Sequence, residues 1–209
     1  MTLFFNALIT AILLYTVYSV LTVYLVQNNI RNLAYLIGAS SYSLYYLYPY
    51  ADGLTQLAGA QLNQTLYQDW ISIIGISFIL SGLAHLVYEA KPKFARFPIG
   101  LCGLPLLIIP AYFFVQDTLI LKELVIAMYE AGAIVVGLMM YGMLSRNTKF
   151  EYIVIVAGLS ILGLAYIIYW LPLDEMKNLI WVWKSFIIIG ILISVHGLKK
   201  AELSDEVMA

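Results

Sequence analysis

The sequence predicts an all-α integral membrane protein, one bundle of seven transmembrane helices with the N-terminus outside and the C-terminus in the cytoplasm. Three observations carry that prediction. Hydrophobic residues make up 63% of the 209-residue chain and charged residues only 11%, about half the charged share of a soluble domain. The apolar residues gather into seven runs of about 20 residues, the length that crosses a hydrocarbon core of about 30 Å. The basic residues of the connecting segments fall almost entirely on one side of those runs.

The first run, Leu3–Val26, follows no charged leader and precedes no small-residue cleavage site, so it reads as a retained helix. Gln27-Asn28-Asn29 breaks it from the second, Asn32–Tyr50, whose far end carries Tyr45, Tyr46, Tyr48 and Tyr50 as an aromatic belt. The longest connection, 51–69, holds no basic residue. The third run is Trp70–Ala90, and Lys91-Pro92-Lys93 separates it from the fourth, Phe97–Val115. The fifth, Glu123–Leu144, ends at Ser145-Arg146-Asn147; the sixth, Tyr152–Leu171, ends at a proline; the seventh is Asn178–Leu198. Short connections make consecutive helices antiparallel neighbours. Residues 1–200 form one transmembrane domain, and 201–209 reads as a short solvated cytoplasmic tail.

Arg31, Lys91, Lys93, Arg96, Arg146, Lys149, Lys199 and Lys200 lie on one side, and only Lys122 and Lys177 on the other, which sets the orientation. A net charge of −1 with no basic patch gives no reason to expect a nucleic-acid partner. The lone cysteine, Cys102, has no internal disulfide partner. The partner implied is the lipid bilayer, in the inner or plasma membrane of a prokaryote, and a homo-oligomer is left open.

Lys184 is the residue with the greatest chemical consequence. It is a basic residue inside an apolar span, where an ammonium costs several kcal/mol unless it is paired or used. An amine in a dry pocket can form a Schiff base with an aldehyde, and a lysine near a span end can instead snorkel to the interface. Counting inward at about 1.5 Å per residue puts Lys184 roughly 9 Å, and Glu130 roughly 10 Å, below the outer ends of their spans, with Asp69 at the outer start of the third. A carboxylate at that level is expected to neutralise Lys184. The two histidines, His85 and His196, fall in the cytoplasmic half and are weak candidates for haem or zinc. Ser81 and His85, four apart, can hydrogen-bond within the bundle or to one another's backbone.

These residues resemble the microbial rhodopsin family, whose members have seven helices, an external N-terminus and a Schiff-base lysine in the last helix. Tyr67-Gln68-Asp69-Trp70 is similar to that family's Arg-Tyr-x-Asp-Trp. Ala165-Tyr166-Ile167-Ile168-Tyr169-Trp170 is similar to its Ala-Tyr-Pro-x-x-Trp stretch. The resemblance implies all-trans-retinal on Lys184, Asp69 as counter-ion (with Glu130 as the other carboxylate at that depth), and Trp70, Tyr166 and Trp170 as pocket walls. The chain differs where Leu66 stands for the family's arginine and Leu80 for its cytoplasmic proton donor. A smaller resemblance, Ser81-Gly-Leu-Ala-His85, is to the Ser-x-x-x-His of the alkaline ceramidase and adiponectin-receptor superfamily.

Three functional expectations follow. The first is a retinal-binding photoreceptor or light-driven ion transporter. The second is a rhodopsin-like bundle without chromophore that acts in binding or transport. The third is a metal-dependent membrane hydrolase or haem redox protein using His85 and His196.

Overall fold

A computed structural model describes residues 2–57, 64–90, 102–114, 119–145, 150–170 and 180–204. Its elements are α1 (Thr2–Gln27), α2 (Ile30–Leu57), α3 (Gln64–Ala90), a 3-10 turn (Leu104–Leu107) that continues into α4 (Ile108–Phe114), α5 (Leu119–Ser145), α6 (Phe150–Trp170) and α7 (Ile180–Ser204). No strand occurs among the described residues. Five helices, α1, α3, α5, α6 and α7, are long and apolar enough to cross a membrane. The second helix is as long but interrupts its apolar residues with Arg31, Asp52 and a run of tyrosines. The described part of the fourth predicted span is a 3-10 turn and a seven-residue helix, with Pro105 and Pro110 in the run.

Two boundaries differ from the sequence reading. The connection expected at 51–69 is largely helical, because α2 runs on through Pro49 to Leu57 and α3 begins at Gln64. The tail expected from residue 201 is helical to Ser204, and its first residues are buried: Ala201 is 0% and Glu202 5% exposed. The break between α1 and α2 falls where the sequence puts it. Asn28 takes a left-handed backbone, φ 46°, which asparagine tolerates better than most residues. The Asn29 side chain then accepts a 2.8 Å bond from the Asn32 amide and caps α2.

The long helices close on themselves. Each packs on the next in the order α1, α2, α3, α5, α6, α7, and α7 returns to α1. The 3-10 turn and α4 pack on α3. Ser81 Oγ holds one end of that segment by donating to the Cys102 carbonyl at 2.8 Å. Tyr112 holds the other: its hydroxyl donates to Asp69 at 3.0 Å and its ring meets Trp70 edge-on at 5.5 Å. Because Ser81 and Asp69 lie about 18 Å apart along α3, the segment runs antiparallel beside that helix.

Apolar attraction between helices is weak in lipid, so close backbone contact has to supply the packing. The crossing of α6 and α7 shows this. A Cβ on Gly158 would lie 2.8 Å from the Gly190 carbonyl oxygen, and one on Gly190 would lie 3.0 Å from the Gly158 carbonyl and 2.7 Å from Leu162. Gly142 on α5 has no such neighbour. Gly190→Leu is therefore expected to cost about 1–3 kcal/mol by overpacking. Thermal unfolding of the detergent-solubilised protein checks this, with Gly142→Ala expected to stay within a few tenths of wild type.

Candidate functional site

The interior of the ring carries a line of polar side chains along one face of α2. Arg31, Tyr35, Tyr42 and Tyr46 are spaced four, seven and four residues apart, so they recur on one stripe of the helix. Tyr42 packs against both apolar clusters of the core: one built from α3, α5, α6 and α7, the other from Ile9, Ile12 and Leu13 of α1 with Ile188 of α7. It therefore stands at the centre of the ring rather than on its rim.

At mid-bundle the Tyr42 hydroxyl donates to Glu130 on α5 at 3.3 Å. Tyr45, Tyr46 and Tyr166 all lie within electrostatic reach of the same carboxylate. Tyr166 is oriented by a 2.7 Å bond from its hydroxyl to the Ala127 carbonyl, one turn before Glu130. No cation pairs with Glu130 among the described residues. A carboxylate without a cationic partner in an apolar span is energetically costly, and such groups mark ion and proton paths.

One turn beyond Ile188, Lys184 is 5% exposed. Its ammonium donates to the Asn6 side-chain oxygen on α1 at 2.6 Å and lies 5.5 Å from the Trp183 ring, which is packed in turn against Tyr169. The carboxylate expected beside it is not there: among the described residues, Glu130 is held by Tyr42 and Asp69 by Tyr112. Lys184 instead fastens the start of α7 to the start of α1. Trp70 meets Tyr112 of α4 edge-on, and the Trp170 side chain lies outside the described residues. The sequence-predicted set is thus divided into an α1–α7 contact, an α2–α5–α6 cluster and an α3–α4 contact. Retinal held by a protonated linkage to Lys184 needs a counter-ion within about 4–6 Å. The described residues offer an amide there, and do not fit it.

At the opposite end the sequence reading missed the strongest electrostatic feature. Arg31, expected in a solvated loop, is 8% exposed and sits between two carboxylates, Glu89 at the end of α3 and Glu202 at the end of α7, the latter at 2.6 Å. Gln27 at the end of α1 donates to the Glu202 carbonyl at 2.7 Å and accepts from Asn32 at 3.1 Å. Four helix ends are therefore tied at one point. Just inside, the Tyr35 and Tyr141 hydroxyls approach to 3.4 Å, and Tyr141 stacks on Tyr152 of α6. The sequence carries no local signal for it, because the partners of Arg31 lie 58 and 171 residues away.

The histidines are not brought together with other ligands. His85 turns Nδ1 to the Ser81 carbonyl at 2.8 Å, as the i, i+4 spacing suggested, and His196 is on an exposed side of α7. Among the described residues no three His, Cys, Asp or Glu side chains gather as a metal site. No protein-family model matches the chain, and no curated protein matches it.

Removing Arg31 alone would leave two carboxylates facing each other. Arg31→Met is expected to destabilise by about 3–5 kcal/mol, whereas Arg31→Met combined with Glu89→Gln and Glu202→Gln should recover most of that loss. Thermal unfolding of the single and triple variants in the same detergent makes the comparison.

Proposed function

We propose that this chain is a seven-span membrane protein, N-terminus outside and C-terminus in the cytoplasm, that binds and passes a small cation through its helical ring, the proton being the simplest case. The observation that carries the reading is Glu130, a mid-span carboxylate whose described partner is the Tyr42 hydroxyl and not a base. A group in that setting can take up and release a proton or cation without first breaking an ion pair. The polar stripe of α2 supports passage rather than binding alone. It places protonatable hydroxyls at successive depths, Tyr46, Tyr42 and Tyr35, and ends at the Arg31 cluster about 16 Å from the Tyr42 level.

Lys184 has a positioning role here. Bonded to Asn6, it fixes α7 to α1. The rhodopsin-like alternative gives Lys184 to retinal instead, and predicts a coloured protein.

Two measurements test the proposal. In vesicles loaded with a pH-sensitive dye, the reconstituted wild type is expected to dissipate an imposed proton gradient. Glu130→Gln should reduce the rate at least tenfold while its unfolding temperature stays near wild type. Equal rates for the two proteins would refute Glu130 as the working group. In the second, purified protein incubated with all-trans-retinal is expected to remain colourless, with no adduct at Lys184 by mass spectrometry. A visible band lost in Lys184→Ala would instead establish the retinal reading.

A further inference from the structure

The face of α3 turned away from the ring interior bounds a second feature that the proton path does not use. There α2, α3 and the 3-10 turn border an open apolar cleft of about 410 Å³. Its walls include Ile30, Leu33 and Ile37 of α2, Phe78 and His85 of α3, and Gly103. Ile30 is 66% exposed at its mouth. A cleft of this kind, opening sideways between two spans, faces hydrocarbon, so its occupant is drawn from the lipids.

His85 makes the cleft chemically specific. Its Nδ1 lies 2.8 Å from the Ser81 carbonyl oxygen, which can only accept, so Nδ1 carries the proton in the neutral ring. Nε2 is then a bare acceptor, and it has no partner among the described residues. The wall also carries Ser81, whose Oγ is committed by donating to the Cys102 carbonyl, and Tyr88, which is 38% exposed. His85 stands five residues from the end of α3, about 7–8 Å inward, near the depth where acyl chains meet their head groups.

We propose that this cleft binds one molecule of a neutral, hydroxyl-bearing membrane lipid, with its chain along the apolar walls and its hydroxyl donating to His85 Nε2. Diacylglycerols, polyprenols and quinols share that chemistry. An ordinary phosphatidylcholine, which has chains but no hydroxyl donor, fills the cleft without satisfying His85. The site is separate from Glu130, so lipid binding and proton flux fail independently.

Native mass spectrometry of the full chain, titrated in detergent with dioleoylglycerol, a polyprenol, a reduced quinone and dioleoylphosphatidylcholine, tests it. One hydroxyl-bearing lipid is expected to bind at least tenfold more tightly than phosphatidylcholine, and the tightest of the three identifies the source. His85→Phe keeps the ring shape but removes the acceptor, and should weaken that lipid about tenfold, back to the phosphatidylcholine level. Gly103→Leu fills the cleft. Its backbone is at φ −85° and a Cβ there meets no atom within 4 Å, so the variant is expected to fold yet lose binding altogether. Phosphatidylcholine binding as tightly as all three hydroxyl lipids, or Gly103→Leu retaining wild-type affinity, would overturn the proposal.

Discussion

Arg31 is the interaction on which the arrangement of the bundle depends. A guanidinium is always charged and presents several donors in a fixed fork, so once buried it must find carboxylates. Here it finds Glu89 and Glu202, and with them the ends of α3 and α7. Gln27 adds the end of α1 through the Glu202 backbone. The cluster fixes the register of α2 against α3, and the whole stripe above Arg31 follows. Further along that stripe Tyr35 meets Tyr141 and Tyr42 reaches Glu130, both on α5. At the other end Lys184 and Asn6 perform a smaller version of the same task between α7 and α1. With both ends tied and glycines seating α6 on α7, the ring closes without a large hydrophobic term between its helices.

How much of this was legible in the sequence depends on the range of the interaction. Local signals read well. Asn28 and Asn29 break and cap the chain where their backbone preferences require, and Ser81 and His85 make the bond that their spacing allows. The runs that became α1, α3, α5, α6 and α7 are apolar over a full span, so their composition decides them. Pairings between distant residues did not read. Glu202 follows Lys199 and Lys200 and looks like the start of a solvated tail, yet its partner lies 171 residues away. Lys184 was correctly singled out as a buried cation, but its acceptor is an asparagine 178 residues earlier rather than a carboxylate at matching depth. Counting residues gives depth along a helix; it does not say which face of the neighbour is presented. That is why Glu130, Asp69 and Lys184 share a level and not a site. Of the expected fourth span, residues 102–114 are described and are helical, with a 3-10 turn at Leu104–Leu107 where Pro105 falls.

The functional reading follows from which charges have partners. The Arg31 charge is balanced by two carboxylates, and Lys184 has a strong neutral acceptor. Among the described residues Glu130 is held by a tyrosine hydroxyl at 3.3 Å and by no cation, and that tyrosine belongs to the same stripe that ends at Arg31. A membrane protein retains a group like this at a cost in stability, and the retention is explained if the carboxylate changes its protonation in use.

The most direct measurement of that claim is pH-dependent infrared difference spectroscopy of the full chain in lipid nanodiscs, read in the carboxylic C=O region. One protein band is expected to appear on acidification, to be absent from Glu130→Gln, and to shift in Tyr42→Phe because the hydroxyl that donates to it is gone. A spectrum in which Glu130→Gln removes no titrating band, or in which the band ignores Tyr42→Phe, would contradict it.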